Sequence, residues 1–129
     1  MMKRSLILVL SLLMLVLCIP ALAESADWNY DANYAILRGY DGAGGDVVVP
    51  AEIDGFTVDV IGISVFKSDT ITSLTLPETV LELRSNAVAS CENLVSVTLP
   101  QSLAVINRMN FFSCNALSEV TIPAGVRYI

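Results

Sequence analysis

Two cysteines, Cys91 and Cys114, lie in the body of a chain with no histidine at all. A cysteine becomes a nucleophile when a neighbouring base draws off its proton, and histidine is the usual base. Its absence also removes the commonest metal ligand. Neither cysteine has partners at zinc-like spacing. Four aspartates, Asp41, Asp46, Asp54 and Asp59, gather around glycine-rich turns. A calcium loop needs converging oxygens in a pattern such as D-x-D-x-D-G. Asp41-Gly-Ala-Gly-Gly-Asp46 does not fit it, so these aspartates read as turn formers. The glycine run lacks the lysine and helix start of a phosphate loop. No pair of carboxylates has spacing that marks it for acid–base work. The residues thus assign no catalytic group, no metal and no cofactor, and the chain reads as a non-enzyme. What remains is contact chemistry. Thr75, Thr98 and Thr121 recur at one constant interval, flanked by Ser73, Ser96 and Glu119. Cys91 and Cys114 are separated by the same interval.

Such spacing needs a repeating scaffold to align it. Pro50, Pro77, Pro100 and Pro123 supply its markers. The last two gaps between them equal the threonine interval, and the first is longer by an inserted turn at Asp54-Gly55. Each proline follows an alternating apolar pair: Val47 and Val49, Leu74 and Leu76, Val97 and Leu99, Val120 and Ile122. Ile71, Leu94 and Leu117 lie three residues upstream of the last three pairs. Downstream come Val58 and Ile61, Val80 and Leu83, Leu103 and Ile106, then Val126 and Ile129. Phe66, Val88 and Phe111 follow five residues after Ile61, Leu83 and Ile106. Agreement at this many positions indicates one supersecondary unit repeated.

An alternating strand buries one face. Proline ends it, because proline cannot donate to a ladder. The chain then makes a second short extended piece and a helical or irregular turn bearing the Phe. No unit can bury its apolar side alone, whereas stacked units can, with strands roughly 4.8 Å apart. Leu76, Leu99 and Ile122 would form one inward ladder, and Phe66, Val88 and Phe111 another. The threonines would form an outward ladder. Such an array can contact ice or carbohydrate, and equally supplies β-propensity and solubility on an exposed strand. Phe112 and Tyr128 fall at non-core positions and are the aromatic candidates for a contact surface. Stacking would also bring the Cα atoms of Cys91 and Cys114 to about 5 Å, inside disulfide range. An inward ladder of buried thiols is the alternative.

The ends of a solenoid need covers. Trp28, Tyr30, Tyr34, Ile36 and Tyr40 alternate with polar or small residues, as in a hairpin with Asn33 in its turn, and Gly42 to Gly45 marks a second turn. Residues 24–46 are therefore expected to form a β cap, and 47–129 the repeat array. The sequence stops at Ile129 in mid-unit. The expectation is a fragment of a longer array, or an end covered by a partner or a neighbouring copy; the alternative is a short chain with an open edge strand.

The N-terminus reads as an address. Lys3 and Arg4 precede an apolar run from Ser5 to Ile19, Pro20 and an Ala21-Leu22-Ala23 cleavage site, the pattern of a secretory signal peptide over residues 1–23. The run is short for a membrane span. Leu17 stands where a lipidated cysteine at Cys18 would want a small residue. Cleavage after Ala23 would leave no membrane span. The full chain of 129 residues has a formal charge of −6, and the part after Ala23 keeps 5 basic and 13 acidic residues, a net of −8. That balance disfavours a nucleic-acid backbone and an anionic membrane surface as partners.

Ile71-Thr-Ser-Leu-Thr-Leu-Pro77-Glu-Thr-Val-Leu-Glu-Leu83, Leu94-Val-Ser-Val-Thr-Leu-Pro100-Gln-Ser-Leu-Ala-Val-Ile106 and Ile61-Gly62-Ile-Ser-Val65-Phe66 resemble the BspA-type leucine-rich repeats of bacterial surface proteins. The resemblance runs from about Tyr34 to Ile129. Arg84 and Asn107 replace the turn glycine that survives as Gly62, so the turns have drifted. The resemblance implies a mainly β leucine-rich-repeat solenoid with short helical turns, about three and a half repeats behind an N-terminal hairpin. It implies buried thiols at Cys91 and Cys114. It further implies a secreted or cell-surface interaction module whose partner is an extracellular protein or matrix ligand. A structural fragment of a longer surface protein and an accessory domain of an extracellular enzyme are the alternatives. If the N-terminal reading holds, exported protein begins at Glu24; mass spectrometry that finds residues 1–23 retained contradicts it.

Overall fold

The computed structural model describes residues 25–129; the signal-peptide segment lies outside these described residues. A 3-10 turn (Ser25–Asp27) leads into a hairpin of β1 (Trp28–Asp31) and β2 (Ile36–Tyr40). The Asp31 carboxylate makes its turn by accepting from the backbone N–H groups of Asn33 (3.0 Å) and Tyr34 (3.3 Å). Strand β2 also pairs in parallel with β6 (Val60–Ile61), followed by β8 (Glu82–Leu83) and β10 (Val105–Ile106). The hairpin is thereby hydrogen-bonded into the stack. A second sheet runs β3 (Gly45–Val48), β7 (Ile71–Thr75), β9 (Ser96–Thr98), all parallel. Between the sheets the chain makes a two-stranded excursion, β4 (Glu52–Ile53) and β5 (Phe56–Thr57). Its turn places Asp54 and Gly55 at positive φ, 51° and 83°, the backbone that a tight hairpin with a right-handed twist requires.

The register follows from the periodicity. Leu37, Ile61, Leu83 and Ile106 stack in one inward column, all buried. Val47, Leu74 and Val97 stack in another. A third side of each turn is closed by Phe66 against Val88, joined by a parallel bridge. Phe66 has no exposed surface, and burying such a side chain contributes roughly 2–3 kcal/mol. Trp28 and Tyr40 from the hairpin pack on its ring at centroid distances of 6.3 and 6.0 Å, so the first rung is covered by aromatic side chains.

Proline marks the same corner in each turn: the carbonyls of Pro77, Pro100 and Pro123 accept from Val80, Leu103 and Val126. The Phe-bearing segments, expected as short helical turns, contain no α-helix. Left-handed residues interrupt them at matching places, Ser64, Asn86 and Met109, then Ser90 and Ser113. An α-helix of L-residues cannot continue through such positions. Phe111 also takes positive φ (65°), and it is half-buried where Phe66 and Val88 are fully buried.

Side chains join one turn to the turn before it. Thr79 Oγ1 donates to the Val58 carbonyl (2.6 Å) and Ser102 Oγ to that of Val80 (2.8 Å). Asn110 does more. Its Nδ2 donates to the carbonyls of Arg84 (3.0 Å) and Asn107 (2.7 Å), and its Oδ1 accepts from Val88 N–H (3.2 Å). Gly62 fits for a different reason: a Cβ there would lie 2.6 Å from the Leu37 carbonyl oxygen. The last repeat is thinner. Residues 117–122 form no strand, and only the bridge from Val105 to Tyr128 carries the first sheet onward. Ile122, expected to be inward under Leu99, is 42 % exposed because no further turn lies over it among the described residues.

Asn110→Ala leaves three backbone groups without this partner and is expected to cost about 1–3 kcal/mol in urea unfolding. Asn93→Ala loses one exposed bond, to the Asp69 carbonyl, and is expected to cost under about 1 kcal/mol. Equal effects from the two would contradict the stitching role.

Candidate interaction face

The outward residues of β3, β7 and β9 form two columns. Asp46, Ser73 and Ser96 are in register, as are Val48, Thr75 and Thr98. Parallel pairing repeats each column at about 4.8 Å. Ser73 Oγ donates to Asp46 Oδ1 at 2.7 Å, so the first column begins with an engaged carboxylate. Val48 is 66 % exposed and heads the second. The structure therefore brings together Ser73, Thr75, Ser96 and Thr98. Glu119 and Thr121 are exposed next along the chain but belong to no strand, so nothing pins them to the columns. Phe112 (57 % exposed) lies on the turn side, and Tyr128 (70 % exposed) bridges to the other sheet. These two aromatics are not part of the threonine face.

Asp46 and Val48 were not among the sequence candidates, yet their signal was present. Counting back from the proline, Val48, Thr75, Thr98 and Thr121 share one position, and Asp46, Ser73, Ser96 and Glu119 another. Their residue types hid the equivalence: neither is a threonine or serine.

The opposite sheet carries a different surface. A groove of about 320 Å³ is lined by Ile36, Arg38, Gly62, Ile63 and Arg84. Arg38 pairs through Nε with Asp31 (2.8 Å) and lies 5.3 Å from the ring centre of Tyr34. Arg84 Nε stands 3.8 Å from Glu82. Arg38 is exposed and Arg84 half-buried, and ion pairs at the surface are worth about 0–1 kcal/mol.

Cys91 and Cys114 are free, buried thiols. Each sulfur points at the preceding turn, Cys91 Sγ to the Phe66 carbonyl (3.3 Å) and Cys114 Sγ to that of Val88 (3.7 Å). They repeat the stitching done by Thr79 and Ser102. Burial pushes the Cys91 thiol above its ordinary range, and the neighbouring Cys114 adds to the shift. Among the described residues, no group of three or more His, Cys, Asp or Glu side chains could hold a metal ion.

Parallel in-register columns, proline corners and an aromatic-capped first turn define a β-solenoid of about three turns. The sequence matches the BspA-type leucine-rich repeat region over residues 53–129, and the chain belongs to that family. The match counts 6 copies, more than the solenoid has turns, so a copy and a structural turn are different units. A leucine-rich repeat protein from Bacteroides capillosus is similar, at 33 % identity and a TM-score of 0.68, with 79 % of this chain and 81 % of that one covered. The T. pallidum leucine-rich repeat protein is similar at 25 % identity and a TM-score of 0.70. The likeness covers 78 % of this chain but 48 % of that one, so the chain spans about half its length. No curated protein matches.

Because the Cys91 pKa is raised in the fold, it stabilises the folded state below the ordinary thiol range and loses that contribution as pH rises through the raised value. Stability is expected to fall above about pH 8.5, and native Cys91 to resist alkylation until denaturant is added. Rapid native labelling at neutral pH would contradict the buried-thiol geometry.

Proposed function

We propose that this chain is a secreted or cell-surface interaction module that binds an extracellular protein or matrix ligand through the outer face of β3, β7 and β9. The observation that carries the reading is the paired columns Asp46, Ser73, Ser96 and Val48, Thr75, Thr98. Their backbone is fixed by the stack, so a partner meets a surface that needs little ordering on binding. Short hydroxyl and β-branched side chains carry little rotamer entropy and add to that advantage. The repeat spacing offers the same contact several times along one direction. Membership of a family whose shared property is the scaffold supports a binding role and leaves the ligand to the surface residues. The signal-peptide pattern of residues 1–23 supports export.

A second reading, a structural length of a longer array, draws on the exposed Ile122, Tyr128 and Ile129 of the last turn, an apolar surface that a further turn would cover.

The face is tested by Thr75→Glu/Thr98→Glu measured against immobilised fibronectin and collagen. The double variant is expected to lose at least tenfold in affinity while melting within a few degrees of the parent. Undiminished binding by the variant would move the site off this sheet. No binding by the parent to either protein would favour the structural reading.

A further inference from the structure

Strand β3 has one free edge. It pairs with β7 on one side and with no other strand among the described residues. Gly45 N–H donates to the Thr70 carbonyl and Val49 N–H to that of Thr75, so residues 45, 47 and 49 turn their main-chain groups toward β7. Strand alternation then turns the N–H and C=O of Asp46 and Val48 to the open side. A row of unpaired donors and acceptors is a template for another strand.

Beside this edge lies a groove of about 280 Å³ lined by Asp27, Trp28, Tyr40, Asp46, Val47 and Val48. The rings of Trp28 and Tyr40, 4.7 Å apart, form one wall, and both are half-buried against the core. Asp27 and Asp46 supply carboxylates, and no lysine or arginine lines the groove. The volume lies just below the range of ligand pockets, roughly 300–1,000 Å³. It suits one long side chain better than a whole small molecule. Aromatic faces with nearby carboxylates favour a cation carried on an aliphatic stem. A chain with net charge −8 beyond Ala23 attracts such a cation from a distance.

We infer that the free edge of β3 accepts an extended peptide segment of a protein partner, which adds as a strand and lays a lysine or arginine side chain into the Trp28–Tyr40 groove between Asp27 and Asp46. This rests on the reading of the chain as a protein-interaction module and names where and how one class of partner docks. Main-chain bonds at Asp46 and Val48 would hold the segment, and the groove would select its basic residue.

Trp28 is the sole tryptophan, so its emission reports the groove directly. The probe is a blocked hexapeptide of alternating lysine and valine. It is expected to change Trp28 emission saturably, and less so as salt rises. Asp27→Asn/Asp46→Asn should weaken the response at least fivefold; asparagine keeps an acceptor for Ser73. Val48→Pro removes the outward N–H without touching the β7 ladder, a change tolerated on an edge strand. It should also cost at least fivefold with melting nearly unchanged. A peptide N-methylated at alternate amides should lose at least tenfold. An equal response to a glutamate–valine peptide, an equal response to the N-methylated peptide, or no saturable response would each overturn the inference. So would sedimentation showing that a second copy occupies the groove. A parent chain that binds fibronectin or collagen but gives no saturable response to the lysine–valine peptide would sink the groove and leave the module reading standing.

Discussion

One turn of this chain cannot hold itself together. Its strands are two to five residues long, too short to bury anything alone, and the ladders of β6 to β10 run to the turns on either side. Stacking of turns is the constraint on which everything else depends. It buries Leu37, Ile61, Leu83 and Ile106 in one column, satisfies the backbone, and fixes the outward residues at a set spacing. The small polar side chains serve the same end. Thr79, Ser102, Cys91, Cys114 and Asn110 each donate to a carbonyl of the preceding turn, at corners where the two sheets provide no ladder. Cysteine and threonine thus do one job here, and the cysteines' position in the repeat reflects geometry, not reactivity.

This constraint explains why the fold was legible in the sequence. A constant period with apolar positions in fixed phase has few solutions, and the columns through Leu74 and Leu83 follow from it directly. Other elements were not legible. Asn86 is of a type that favours the left-handed region, but nothing in the residue types of Ser90, Met109 or Ser113 marks them, and these positions keep the Phe-bearing turns from being helical. The role of Asn110 was hidden as well, because it depends on three backbone groups converging from two turns. The last repeat reads as well as the others on paper. It is looser in space because pattern gives the identity of a turn, while the neighbour supplies its order. For the candidate face, the alignment held the positions of Ser73, Thr75, Ser96 and Thr98, but seeing that Asp46 and Val48 head the same columns required the register. Phe112 and Tyr128 were exposed as expected and lie on other sides of the solenoid.

The division between inside and outside also shapes what the protein can do. Inward columns are tied to the stack and leave little freedom. The surfaces differ from one another in charge: arginines at Arg38 and Arg84 on one sheet, aspartates and aromatics beside the edge of β3, hydroxyls along the threonine face. A scaffold whose regularity is confined to the core can carry several unlike surfaces at once, and binding roles follow from those surfaces.

Amide hydrogen exchange at two inter-turn bonds of similar length tests stacking most directly. Arg84 N–H donates to the Ile61 carbonyl at 2.9 Å, between two turns; Arg127 N–H donates to that of Ala104 at 2.8 Å, in the last turn. Bond lengths alone predict equal protection. If neighbouring turns supply the stability, Arg84 exchanges only with global unfolding and Arg127 exchanges far faster. Equal protection at the two amides would contradict the account.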